Sequence, residues 1–461
     1  MTKDLEEANA IADCVISAFD ALPSHRKPRD TSSALKPGRR EWVPLAGIVV
    51  DSGHYEQPGN RLRCVALATG MKCLPQDKLH VLQGNVLHDS HAEILALRAF
   101  NRFLLDECSR LAMPGNDHDN SVDGAAANIL EWRNKPAEIA SDDDLPQNGR
   151  SWQGQPFRIR DNVTLHMYCS EAPCGDASME LTMAAQQDAT PWSRTPPPQP
   201  ADSEDHPGCI GSKSGSPSRD DQASSQLYGR SYFDVLGVVR RKPSRPDAPP
   251  TLSKSCSDKL ALKQTTSTLS SLTSLFVHPD RAYLSTLTMP ASQYIDTACQ
   301  RAFGPEGRMA PLERTGDRDY ALTLYSYRPF KVNPTAREFS FSRRSTAWAD
   351  TVSIVPSNIS SLTYGSNQET LINGVLQGRK QLDPRGASAV SRRKTWLMAA
   401  GLAMMIGEKA IQQALNQPTY NGVKTHYALQ ARESIKRLVR QGPLRGWTRN
   451  NGDDGWSLGK A

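Results

Sequence analysis

Three short segments carry side chains suited to metal-assisted hydrolysis: Ser90-His91-Ala92-Glu93, Pro173-Cys174-Gly175-Asp176 and Ser255-Cys256-Ser257-Asp258-Lys259. One imidazole and two thiolates make a three-ligand zinc set that leaves the fourth position to water. Zinc lowers the pKa of that water towards neutrality and so generates a hydroxide nucleophile. Glu93, two residues from the imidazole, can carry the proton to a substrate ring nitrogen and then to a leaving amine.

Each segment also has a plainer explanation. Ser90-x-x-Glu93 fits a helix capping box, in which the carboxylate reaches back to an orphan backbone N–H. Cys174 and Cys256 taken singly are ordinary buried thiols. If Pro173-Cys174 opens a helix, the dipole favours a thiolate at Cys174. Taken together, His-x-Glu followed by Pro-Cys is the pattern of zinc deaminases. That pattern continues Pro-Cys-x-x-Cys, but Ala177 stands at the second cysteine position. The third ligand is therefore Cys169, at the end of an expected strand, or the distant Cys256. The polar Ser-Asp-Lys that follows Cys256 favours Cys256.

The elements that must position these groups alternate between helix and strand. Residues 1–24 read as an amphipathic helix, with Ala8, Ile11, Ala12, Val15, Ile16 and Phe19 at helical spacing. A basic connector (HRKPRDTSSALKPGRR) completes an N-terminal region, 1–40. Strands are expected at Trp42–Val50, at 62–68 before the Thr69-Gly70 stop, and at Val163–Cys169. Ser90–Leu105 has helical periodicity and Asp176–Gln186 reads as a short helix. In the second half, strands are expected at Tyr320–Tyr327, Thr351–Val355 and Glu369–Ile372. Helices are expected at Ala291–Phe303, Arg393–Ile406 and Tyr427–Arg440. Residues 107–158 are polar and read as a surface insertion. Residues 187–226 include Pro196-Pro197-Pro198 and too few large apolar groups to offset the entropy of ordering. Residues 41–461 thus read as one α/β domain, a central sheet flanked by helices, with flexible insertions at 107–158 and 187–226.

Composition narrows the setting. Of 461 residues 38% are hydrophobic, enough for a sizeable core, and a net charge of +6 is compatible with an anionic partner without requiring one. The longest apolar stretch, Thr395–Gly407, is shorter than the ~20 residues of a membrane span and reads as a buried helix. The N-terminus places acidic residues where a secretory signal is basic. Nine cysteines at irregular spacing argue for a reducing compartment. Secreted and membrane-spanning classes are set aside, leaving an intracellular protein, nuclear or cytoplasmic, with no evident obligate protein partner.

The chain resembles the tRNA-specific adenosine deaminases, relatives of the adenosine deaminases acting on RNA. The resemblance runs in order through VALATGMKCL, HDSHAEILALR, CSEAPCGDAS, RRKPSRPD, SCSDKLA and SLTSLFV, and more loosely to Trp447. It implies a cytidine-deaminase-like sheet and the conversion of adenosine to inosine at position 37 of alanine tRNA. It also implies that Cys256 joins His91 and Cys174 on zinc. A loop base suits such a site, because it is already partly unstacked. Arg240, Arg241, Lys242 and Arg245 are candidate phosphate contacts, and Met71 and Lys72 match positions that touch the target nucleotide in the editing branch.

The same resemblance implies an inositol hexakisphosphate buried in the core. The matching residues are Arg98, Lys259, Ser271, Lys394, Tyr420, Lys424 and Trp447, with Arg432, Lys436 and Arg440 along one helical face beside them. His88 and Leu262 depart from the family's Asn and Arg. Two other classes fit less well: a non-catalytic RNA-binding protein of this fold, and a deaminase of free nucleosides or other RNA.

Overall fold

The computed structural model describes residues 3–31, 38–53, 61–113, 128–133, 151–185, 227–229, 231–243, 248–314, 324–344 and 353–459. Its centre is an eight-stranded mixed sheet. In spatial order the strands are Lys331–Thr335, Leu284–Pro290, Thr164–Cys169, Leu45–Asp51, Leu62–Thr69, Ile359–Tyr364, Asn367–Ile372 and Val375–Leu376. The first three run parallel and every later neighbour is antiparallel.

Leu45–Asp51 is buried along its whole length, as its near-continuous apolar sequence requires of a strand covered on both faces. Ala46, Ile48 and Val50 face the main core with helix α2 (Ala92–Ala112), while Leu45 and Val49 face helix α1 (Lys3–Asp20). Helix α1 buries Ala8, Ile11, Ala12, Val15 and Phe19, the face expected from its spacing. It lies so close to the sheet that a Cβ on Gly47 would stand 2.6 Å from Val15 Cγ1. Three further helices matter for the site: α3 (Cys256–Thr266), α4 (Arg392–Ile406) and α5 (Gln430–Gln441).

Several boundaries move for identifiable reasons. The strand expected at Trp42–Val50 is two strands, Arg39–Trp42 and Leu45–Asp51, because Pro44 has no N–H to continue a ladder. The helix expected at 1–24 stops at Asp20, ahead of Pro23. The expected strand Tyr320–Tyr327 is not formed over its described residues, 324–327, and Lys331–Thr335 takes the sheet edge instead. Core elements enter the expected insertion 107–158 from both ends. Helix α2 continues to Ala112, and Leu130–Trp132 pairs with Phe157–Ile159, burying Ile129, Leu130, Trp152 and Phe157. The segments 187–226 and 244–247, the latter containing Arg245, lie outside the described residues. Helix α4, expected to be buried, is one-sided: Trp396, Ala399, Leu402 and Ala403 are buried, whereas Leu397, Met404 and Met405 are exposed. No helix among the described residues is long and apolar enough to cross a membrane.

Candidate active site

His91 ends a short strand, Asp89–His91, and is itself the N-cap of α2. The capping-box explanation therefore fails. Ser90 is not the cap, and Glu93 is the second residue of the helix, buried beside the imidazole. Cys256 is the first residue of α3, whose N-cap Ser255 accepts a hydrogen bond from the Asp258 N–H at 3.1 Å. Of the two sulfurs, Cys256 is the one at the start of an α-helix, but burial and then the Cys174 sulfur push its thiol well above the ordinary range. Cys174 lies two residues before a 3₁₀ turn, Asp176–Ser178, that runs into the short helix Met179–Ala184, close to the helix expected at Asp176–Gln186.

The two cysteine segments are zipped together. The Cys256 N–H donates to Cys174 Sγ at 3.3 Å, Ser257 N–H donates to the Cys174 carbonyl at 3.0 Å, and the Ser257 hydroxyl donates to the Pro173 carbonyl at 2.9 Å. Gly175 makes this approach possible. Its φ is +101°, and a Cβ there would collide with the Ser255 side chain. As a result His91 Nδ1 lies 3.8 Å from Cys174 Sγ and 3.6 Å from Cys256 Sγ, and all three donors fall within 4.8 Å of one another. One imidazole and two sulfurs at this spacing fit a zinc ion. Cys169 is buried in the core and, among the described residues, joins no such cluster. Of the two, Cys256 is the one that lies with His91 and Cys174.

The electrostatics suit acid–base work. Burial pushes the Glu93 carboxyl above its ordinary range, with the imidazole opposing that rise. The Cys256 side chain, by hydrogen bonding, holds the Cys174 thiol well below its usual value, and Lys242 and His91 help.

Lys242 occupies a place that its sequence context concealed. Its ammonium is buried, 2.9 Å from Asp89 Oδ2 and 3.2 Å from Cys256 Sγ. Lys259, on the far side, donates to the same Asp89 carboxylate. Burial opposes the Asp89 charge, but the two ammonium groups outweigh it and hold this carboxyl well below the carboxylate range. Asp89 was not anticipated; the only sequence sign is its position two residues before the metal-type imidazole.

The expected phosphate contacts at 240–242 are corrected by this geometry. The Arg240 guanidinium is buried and donates to the carbonyls of Gly229, Ser231, Tyr232 and Val235. Arg241 donates to the Thr251 carbonyl and Gln76 Oε1. These cations, with Lys242, serve the interior. Met71 and Lys72 do flank the site: their strand, Met71–Cys73, pairs Met71 with His91 and Lys72 with Ser90.

Beyond Lys259 lie two cavities of about 250 and 260 Å³, which share Lys259, Arg392 and Trp447. Lys424, Lys436 and Arg440 line the first; Arg98, Tyr420 and Leu262 line the second. Ser271 lines neither, though its hydroxyl accepts from Lys436 at 3.5 Å. Lys394 is exposed and lines neither; Arg392, two residues earlier, faces both. Arg432 sits beneath, donating to the carbonyls of Thr266 and Leu269. His88 is kept out of the cavities by Asp453 Oδ2 at 2.7 Å, and burial pushes its pKa down to about 4. Lys254 and Lys263 were missed by sequence reasoning, yet each lines a cavity. Burial and then neighbouring cations push Lys254 and Lys436 down to about 7, and Arg440 Nε is buried without a hydrogen-bond partner. Such a set fits a bound polyanion, because clustered buried cations are costly unless paired.

Comparison with known proteins agrees with this chemistry. A family model described as an adenosine-deaminase (editase) domain matches residues 66–451. A tRNA-specific adenosine deaminase 1 of Schizosaccharomyces pombe is 34% identical over 452 residues, covering 97% of this chain and 96% of that protein. Its Saccharomyces cerevisiae counterpart is 33% identical over 282 residues, 60% of this chain and 56% of that protein. A double-stranded RNA-specific adenosine deaminase of Mus musculus is 29% identical over 34% of this chain and 11% of its own length. With the family model spanning most of the length and its metal-type donors gathered, the chain belongs to the adenosine-deaminase (editase) family.

Proposed function

We propose that the protein is a tRNA-specific adenosine deaminase. It hydrolyses adenosine to inosine and ammonia with one zinc ion held by His91, Cys174 and Cys256. The target is adenosine 37, beside the anticodon of alanine tRNA, in keeping with the substrate class in the names of its S. pombe and S. cerevisiae relatives. Zinc, when bound, supplies the Lewis acid that makes water nucleophilic at neutral pH. Glu93 accepts a proton as the water oxygen adds to C6 of the purine and passes it to N1, where it stays in the product. The second water proton travels by the same carboxylate to the exocyclic nitrogen, which leaves as ammonia. Burial of Glu93 suits this two-way traffic, since a carboxyl raised towards neutrality both takes and gives a proton readily. Met71 and Lys72 border the base, being strand partners of the His91 segment. Inositol hexakisphosphate occupies the cationic cavities as a structural cofactor, and the protein works inside the cell, nuclear or cytoplasmic, where tRNA is found.

The convergence of His91, Cys174 and Cys256 beside buried Glu93 carries this reading. Its test is Glu93→Ala. The variant is expected to keep about one zinc per chain while losing inosine formation on an alanine tRNA transcript. Full activity in the variant overturns the mechanism. Equal activity on free adenosine overturns the substrate assignment.

A further inference from the structure

On the opposite face of the sheet from α2, a second group of metal-type donors meets: Glu7 of α1, Asp51 of the central strand and His166 of the neighbouring strand Thr164–Cys169. Strand alternation puts Asp51 and His166 on the same side as Val49 and Tyr168, the side that α1 covers. A His nitrogen, an Asp51 oxygen and a Glu7 oxygen all lie within 4.8 Å of one another. The imidazole supplies an independent sign. His166 is only 2% exposed, its Nδ1 lies 2.8 Å from Thr286 Oγ1, and its Nε2 is buried with no hydrogen-bond partner. Buried ring nitrogens are rarely left in that condition. With the Nδ1–H given to the Thr286 hydroxyl, the lone pair falls on Nε2, the arrangement typical of metal-binding histidines.

We propose that Glu7, Asp51 and His166 form a second metal site, for a divalent first-row ion such as zinc or manganese, that clasps α1 to the sheet. One imidazole and two carboxylates suit such an ion. Bound donors stand about 3.5 Å apart in a tetrahedron, so with every pair within 4.8 Å none needs to close by more than about 1.3 Å. Glu7, half-buried on its helix, has the freedom to supply that movement. Asp51 is already held by Arg61, whose Nη2 lies 2.6 Å from Oδ2, and by the Gly53 N–H at 2.8 Å from Oδ1. The Arg61 side chain is 45% exposed and is the group that yields, the ion replacing it as the positive partner of Asp51. The site is therefore a clasp with two settings, guanidinium or metal.

The experiment uses the full chain with its catalytic centre already loaded, titrated with zinc chloride and, separately, manganese chloride. Wild type is expected to rise from about one to about two ions per chain and to gain thermal stability as it does so. Glu7→Gln should stay near the lower ratio, show no thermal response to the metal and retain inosine formation. Helix α1 remains anchored in this variant by Ile11, Val15 and Phe19. His166→Gln gives the same ratio from the sheet side. Cys174→Ala separates the two centres, because it loses the catalytic ion and keeps the clasp. A wild type that takes up no second ion at millimolar metal, or a Glu7→Gln chain that still does, overturns the proposal without touching the deaminase reading.

Discussion

A single buried ammonium, Lys242, joins the metal-type ligands to the cationic chamber. It touches Asp89 and Cys256 at once, and Asp89 is shared with Lys259 at the chamber wall. Removing it leaves Asp89 with Lys259 and Cys256 without its ammonium donor. Lys242→Met is expected to lower activity or zinc affinity by roughly 10–100-fold, the usual cost of losing support behind a metal ligand. Inosine formation and the rate of zinc loss to a chelator read this directly. At this scale legibility divided by chemistry. His91, Cys174, Cys256 and Glu93 could be read because few other roles need those types in that pattern. The run Arg240-Arg241-Lys242 could not, because a string of charges looks the same whether it faces water or is folded inward onto carbonyls and a carboxylate.

Among the elements, the turn at Gly175 and the start of α3 decide whether the sulfurs meet. Gly175→Ala combines a positive φ with a collision against Ser255. The expected result is separation of the two cysteine segments and loss of bound zinc, measured by metal analysis of folded protein. Ser255→Ala is milder. It removes the N-cap of α3 and should cost about 1 kcal/mol in denaturant unfolding. Helices with wide apolar faces, α1 and α2, were plain in the sequence. The strands Lys331–Thr335 and Ile359–Tyr364 were not. The first carries Pro334 and is tolerated only at the sheet edge. The second, ISSLTY, interleaves serines that are buried by neighbouring strands rather than by any local pattern.

For the molecule as a whole, the chamber links stability to pH. Lys254 and Lys436 titrate at about 7 when folded, against ~10.4 for a free lysine. Between those values the unfolded chain binds more protons, so stability of the anion-free protein should rise with pH from about 7 to about 10. Below about 7 their full penalty is felt. Inositol hexakisphosphate, by favouring the charged lysines, should flatten that rise and lift the unfolding midpoint most near neutral pH. Melting curves across this range, with and without the polyanion, check both. Little of this was visible beforehand. Arg98, Lys424 and Trp447 were singled out by resemblance, whereas Lys254, Lys263 and Arg392 enter through packing of α3, α4 and α5.

Asp453 is almost fully buried, accepting from the Gly84 N–H and from Arg392 and lying against His88, 365 positions earlier in the chain. Translation supplies these partners at very different moments. At ~5–20 residues per second, the ribosome needs roughly 20–70 s to reach Asp453 after His88 has emerged. Throughout that interval the segment leading into His91 lacks its anchor. The newborn polypeptide thus passes through a lengthy half-built stage, in which chaperones and proteases have their opportunity before the deaminase can assemble its site.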